Sequence, residues 1–176
     1  MNCDSNHRVN GIMKTLYLAR HAKSYWKDQS IPDLDRPLNN RGKRDAPFMG
    51  EVLKNKKVKP DLIVCSPAKR TKKTAIAMAE KIGYPEKKIL FNEDLYEASS
   101  NILIKIIKKL DEKYDSVMIF GHNPGLTMLN NHISDRYIDN IPTCGIVTLQ
   151  LDLKWSELDK NTCKFVFFEY PKLYLE

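Results

Sequence analysis

Apolar and polar positions alternate along this chain in two rhythms. Short apolar runs with the continuity or the two-residue period of β-strands occupy residues 15–19, 62–65, 88–91, 117–120, 146–151 and 165–168. In the first run Leu16 and Leu18 alternate with Tyr17 and Ala19, the pattern of a strand packed on both faces. Between the runs lie helical patterns. Residues 41–55 follow Asn39 and Asn40, which can cap a helix, and bring Ala46, Met49, Val52 and Leu53 to one face. Pro47 and Gly50 inside that stretch predict a kink or a later start. Residues 68–82 end at Gly83 and bury Ala75, Met78, Ala79 and Ile82. Residues 100–113 place Leu103, Ile106, Ile107 and Leu110 at helical spacing, and residues 124–133 open on Pro124, which suits a first helical turn. This alternation predicts an α/β fold: a three-layer α/β/α sandwich whose central sheet is mostly parallel, with antiparallel edges late in the chain.

Residues 13–176 read as a single domain with no internal repeat or linker. The first twelve residues are polar and are expected to form a disordered extension, with Met13 directly before the first strand and His7 unconnected to function. They contain no apolar segment of a secretory signal, and no run in the chain approaches the roughly 20 apolar residues of a membrane-spanning helix. Cys3, Cys65, Cys144 and Cys163 are scattered without a C-x-x-C pair, which argues for reduced thiols in the cytoplasm rather than disulfides or zinc.

Charge adds a preference for anions. Of the 29 Lys and Arg residues 20 lie in residues 1–88, together with only 9 of the 22 Asp and Glu, within a net charge of +7. Such an excess attracts phosphorylated substrates or acidic surfaces. It also attracts nucleic acid, but no binding module or basic stripe interleaved with aromatics is present. Segments such as KNKKVK also serve as ordinary solvated surface.

In parallel α/β sheets, sites gather at the carboxyl ends of strands. The first strand ends in Arg20-His21, the second runs into CSPAKRTKKTA with Arg70 in the next helix, and the fourth ends in FGHNPG with His122. If these ends share one rim, two arginines, two histidines and two helix N-termini surround one volume suited to a phosphoryl group. One neutral imidazole can attack phosphorus and form a covalent phosphoenzyme. A second, protonated at least in part, can hold the non-bridging oxygens while the arginines stabilise the charge. Each piece also has a plain structural use: the pair Arg20-His21 ends a strand, Arg70 sits in a lysine cluster, and His122 braces a turn. No metal or other cofactor is implied, since two histidines without carboxylates make a poor ligand set. Asp28, Asp33 and Asp35 lack the glycine and terminal glutamate of a calcium loop.

Arg20-His21 with Ser24, the segment RPLNNRG, SPAKRTKKTA and GHNPG together resemble the histidine phosphatase superfamily, and within it the small SixA-type phosphohistidine phosphatases. The resemblance runs from about Met13 to the C-terminus. It implies His21 as nucleophile, with Arg20, Arg70 and His122 as its phosphate-binding partners. The family usually has glycine after the nucleophile, where this chain has Ala22. Glu97, in an L-x-E pattern, resembles the position of the proton donor in mutases and phosphomonoesterases of the superfamily, and equally reads as a surface carboxylate. Ser24 either binds phosphate or caps the loop. Lys23 and Lys69 guide an anion or are ordinary surface lysines, Tyr25 and Trp26 contact substrate or, as aromatics near a strand end more often do, pack at the sheet edge, and His132 has no partner. The expected activity is metal-independent removal of phosphate from phosphohistidine in a protein. The alternatives are a small-molecule phosphomonoesterase, with a phosphorylated metabolite as substrate, and a non-catalytic phospho-ligand binding protein. Neither nucleic acid nor a membrane is an expected partner.

Overall fold

The computed structural model describes residues 13–175. The predicted N-terminal extension, with Cys3 and His7, lies outside the described residues. Six strands form one sheet in the order β3-β2-β4-β1-β5-β6: β1 (Lys14–Arg20), β2 (Leu62–Cys65), β3 (Leu90–Phe91), β4 (Ser116–Gly121), β5 (Ile146–Leu151) and β6 (Cys163–Glu169). Strands β3, β2, β4 and β1 run parallel, and β5 and β6 pair antiparallel at the other edge. Four helices cover the sheet: α1 (Asn40–Asn55), α2 (Lys69–Ile82), α3 (Ser100–Lys108) and α4 (Gly125–Ile133).

The side-chain alternation of β1 divides the interior into two cores. Leu16 and Leu18 face Leu103 and Ile107 of α3 and Leu126, Leu129 and Ile133 of α4. Tyr17 and Ala19 face the opposite layer, where Met49 and Leu53 of α1 meet Ala75 and Met78 of α2. This is the expected three-layer arrangement, produced by a strand whose successive side chains point to opposite faces.

Local departures from the sequence reading have physical causes. Helix α1 runs through Pro47 without interruption, because Gly50 lets it lie directly on Lys81 and Met78 of α2 and burial outweighs the lost hydrogen bond. The third run shortens to two residues, since residues 86–88 form a 3-10 turn and Leu90 and Phe91 lie half-exposed at the sheet edge. Helix α3 stops at Lys108 rather than 113. Its last carbonyls are taken by Lys109 and Leu110, and Asp111 then turns the chain by accepting from the Lys113 amide. Gly83, left-handed at φ 75°, ends α2 as expected. Among the described residues no helix is long and apolar enough to cross a membrane.

Candidate active site

Register in the sheet brings the site together. Arg20 of β1 pairs with Gly121 of β4, and Cys65 of β2 pairs with Phe120. The next residue of each strand, His21, His122 and Ser66, therefore emerges on one rim at the carboxyl ends. The His21 and His122 rings lie 5.2 Å apart between centroids. Arg70, in the first turn of α2, reaches the same place, with one Nη 3.4 Å from His122 Nδ1. Arg20, His21, Ser24, Arg70, Glu97 and His122 all line one pocket of about 280 Å³, together with Asp33 and Asn123.

Hydrogen bonding fixes the tautomer of both imidazoles. His21 Nδ1 lies 2.8 Å from the Ala22 carbonyl, which only accepts, so Nδ1 carries the proton and donates it. The lone pair is left on Nε2. His122 Nδ1 faces the Arg70 guanidinium, which only donates, so its proton sits on Nε2 and is given to Ser66 Oγ at 2.7 Å. Burial pushes His21 down to about 4; Arg70 and Arg20 add to this, while the Ala22 carbonyl opposes it. Burial also pushes His122 down to about 3, with His21 and Arg70 contributing. Both rings are thus neutral at pH 7 in the free protein. For His122 burial is the main cause, so its neutrality describes the pocket before an anion arrives, whereas the partial protonation expected from sequence concerns the ring during transfer.

The arginines are held differently. Arg20 donates to the Ile141 carbonyl at 2.8 Å. Its Nε is buried with no hydrogen-bond partner, an unspent donor on a pocket-lining residue. Arg70 is almost fully buried and donates to the Asp33 carbonyl oxygen at 2.6 Å and to the Asp33 carboxylate at 2.9 Å.

The family model of the histidine phosphatase superfamily (branch 1) matches residues 16–114, more than half of the chain. The chain belongs to this superfamily. An uncharacterised protein of Mycobacterium tuberculosis is 28% identical over 163 residues, spanning 87% of this chain and 99% of the relative. A structure from Agrobacterium tumefaciens, assigned as the phosphohistidine phosphatase SixA, superposes with a TM-score of 0.77 at 27% identity, covering 90% of this chain and 98% of the other. The protein histidine phosphatase SixA complexed with tungstate shares the fold at a TM-score of 0.79 and 19% identity, covering 92% and 99%. Membership in the superfamily supports a phosphatase activity.

Within this member of the superfamily, Ala22 fits without strain. It is buried, donates its amide to Thr74 Oγ1 at 2.9 Å, and is not among the residues with positive φ. Glu97 is one of those residues, at φ 49°, a backbone state uncommon for a residue with a side chain. Its carboxylate is largely exposed on the rim, 4.0 Å from the Arg70 guanidinium. Ser24 is buried in the pocket wall where its strand-like contact with Leu38 closes the loop. Trp26 does not pack at the sheet edge: it stands on the rim under the Arg36 guanidinium, 3.5 Å from the ring centroid. Tyr25 is exposed beside it, and Lys69 and His132 are exposed and outside the pocket lining.

Sequence reasoning missed three residues. Ser66 orients His122, and Tyr96 donates to the Asp33 carboxylate at 2.6 Å while its ring meets His122 edge-on. Asp33, set aside as a metal ligand, instead joins Arg70, Arg36 and Tyr96. Burial pushes its carboxyl up, but the Tyr96 and Arg70 hydrogen bonds and the two arginine charges prevail and hold it low. The motif D-L-D-R beside RPLNNRG was the available signal, yet spacing alone does not say which aspartate turns inward. Among the described residues no cluster of three His, Cys, Asp or Glu side chains is placed to hold a metal ion.

Proposed function

We propose that the protein is a phosphohistidine phosphatase that works through a covalent phosphoenzyme at His21. The observation that carries this reading is the Ala22 carbonyl on His21 Nδ1, which leaves the Nε2 lone pair available in a pocket with two guanidinium groups. Nε2 attacks the substrate phosphorus, the P–Nε2 bond forms and the bond to the substrate imidazole breaks, and that imidazole takes up a proton from solvent as it leaves. Arg20 and Arg70 hold the phosphoryl oxygens through the transfer. The incoming dianion favours protonation of His122 at Nδ1, turning it into a further donor. Water then attacks phosphorus, the P–Nε2 bond breaks and inorganic phosphate leaves.

A protein phosphohistidine fits because its phosphoramidate bond is labile and depends little on a positioned acid. Glu97 lines the pocket at its rim, where its carboxylate is largely exposed. Its left-handed backbone and its approach to Arg70 favour a second reading, a small-molecule phosphomonoesterase with Glu97 as proton donor. Turnover of a phosphohistidine protein and of a panel of phosphate esters, in wild type and Glu97→Gln, separates the two. The main reading predicts fastest hydrolysis of phosphohistidine and little effect of Glu97→Gln on it. Preference for an ester, abolished by Glu97→Gln, would establish the second reading instead.

A further inference from the structure

A second concavity, about 800 Å³, continues from the candidate active-site pocket through shared walls at Lys23, Ser24 and Trp26. Its lining carries Lys23, Lys27, Arg41 and Lys43 and no carboxylate. Arg41 is engaged by Asp45 and Thr143. The three lysines, by contrast, have no carboxylate within 4.0 Å among the described residues.

The N-terminus of α1 forms one side of this groove and breaks a local rule. A sixteen-residue helix gains from acidic residues in its first turn, where the macrodipole is positive. Here the first turn holds no acid, and Arg41, Lys43 and Arg44 crowd it instead. Such conflicts between local preference and fold concentrate at functional sites. Asn39 already caps the helix and Arg41 and Arg44 share Asp45, so an anion lying in the groove would chiefly relieve the unpaired lysines.

Resting on the phosphatase reading, we propose that this groove binds acidic side chains flanking the phosphorylated residue of a protein substrate. The lysines are point charges spread over a loop and a helix, and the groove's one arginine is already committed. That spacing suits carboxylates distributed along an extended chain better than one compact polyanion, which calls for converging forks. Exposed Trp26 and Tyr25 add apolar surface for the peptide between its charges.

The test uses two peptides carrying one phosphohistidine, flanked by glutamates in one and by glutamines in the other. Enzymes are wild type and the double variant Lys27→Glu/Lys43→Glu, with a small aryl phosphate as a reference substrate. Wild type should turn over the glutamate peptide about tenfold more efficiently in kcat/KM at low salt, as expected for several exposed ion pairs acting together. The preference should vanish at about 1 M salt, where the Debye length is near 3 Å. The variant should lose or invert the preference while hydrolysing the aryl phosphate as wild type does. Equal use of both peptides by wild type, or a preference that survives the double reversal, overturns the proposal. Binding of the unphosphorylated glutamate peptide, followed by tryptophan fluorescence, decides the groove independently of turnover. If no substrate is hydrolysed the phosphatase reading fails, and the groove stands only if wild type binds this peptide and the variant does not.

Discussion

Replacing Ser66 by alanine tests how the second imidazole is held. Ser66 is fully buried, His122 nearly so, and their hydrogen bond is 2.7 Å long. The substitution removes one oxygen and strands the His122 Nε2–H without an acceptor. An unsatisfied buried donor costs about 1–3 kcal/mol, which lowers Tm by roughly 2–12 °C for a chain of this size. The same free energy fixes the ring with Nδ1 toward Arg70. Its loss lowers the fraction of correctly oriented enzyme, so kcat should fall by about tenfold to a hundredfold, at 1.4 kcal/mol per factor of ten. Thermal unfolding and steady-state kinetics on the same preparation measure both effects, and Ser66→Thr, which keeps the hydroxyl, should recover much of kcat. Full kcat in a destabilised Ser66→Ala would refute the idea that this bond orients His122 for the reaction. Unchanged stability would show that the bond contributes nothing to the fold.

Further expectations follow from the same geometry. Nuclear magnetic resonance should find His21 titrating near pH 4, and Asp33→Asn should move that midpoint lower, because the Asp33 charge favours the imidazolium; a midpoint near 6.5, or an upward shift, contradicts the electrostatics. Both imidazoles have their folded pKa depressed, so the unfolded chain binds more protons, and their stabilisation is complete above about pH 6.5 and lost as pH falls through about 4 for His21 and about 3 for His122. Chemical denaturation across that window should show unfolding free energy declining with acid, and less so in His21→Ala if that variant folds. A Cβ at Gly125 would lie 2.0 Å from the Ala98 carbonyl oxygen, so Gly125→Ala should cost about 1–3 kcal/mol; denaturation midpoints equal to wild type would show that α4 and the loop carrying Glu97 separate freely.

The architecture was legible because strand and helix periods differ and each helix shows one apolar face, as in Leu103 and Ile107 or Met49 and Leu53. The convergence of Arg20, His21, Arg70 and His122 was legible because all four sit at strand-to-helix or strand-to-loop turns in the parallel part of the sheet. Protonation was not. Which nitrogen of His21 carries its proton depends on the carbonyl of its own neighbour, and the charge of His122 depends on burial; neither has a period or spacing. Asp33 and Tyr96 escaped for a related reason. Asp33 meets Arg70 across 37 residues and Tyr96 across 63, through a loop whose path no local pattern specifies.

The proposed chemistry requires a phosphoryl group bonded to His21 during turnover. Rapid quenching with radioactively labelled substrate, followed by peptide mapping, measures this directly. Acid-labile, base-stable phosphate is expected on His21 Nε2, formed and discharged at the rate of turnover and absent in His21→Ala. Turnover without label on His21, or full activity in His21→Ala, would contradict that chemistry.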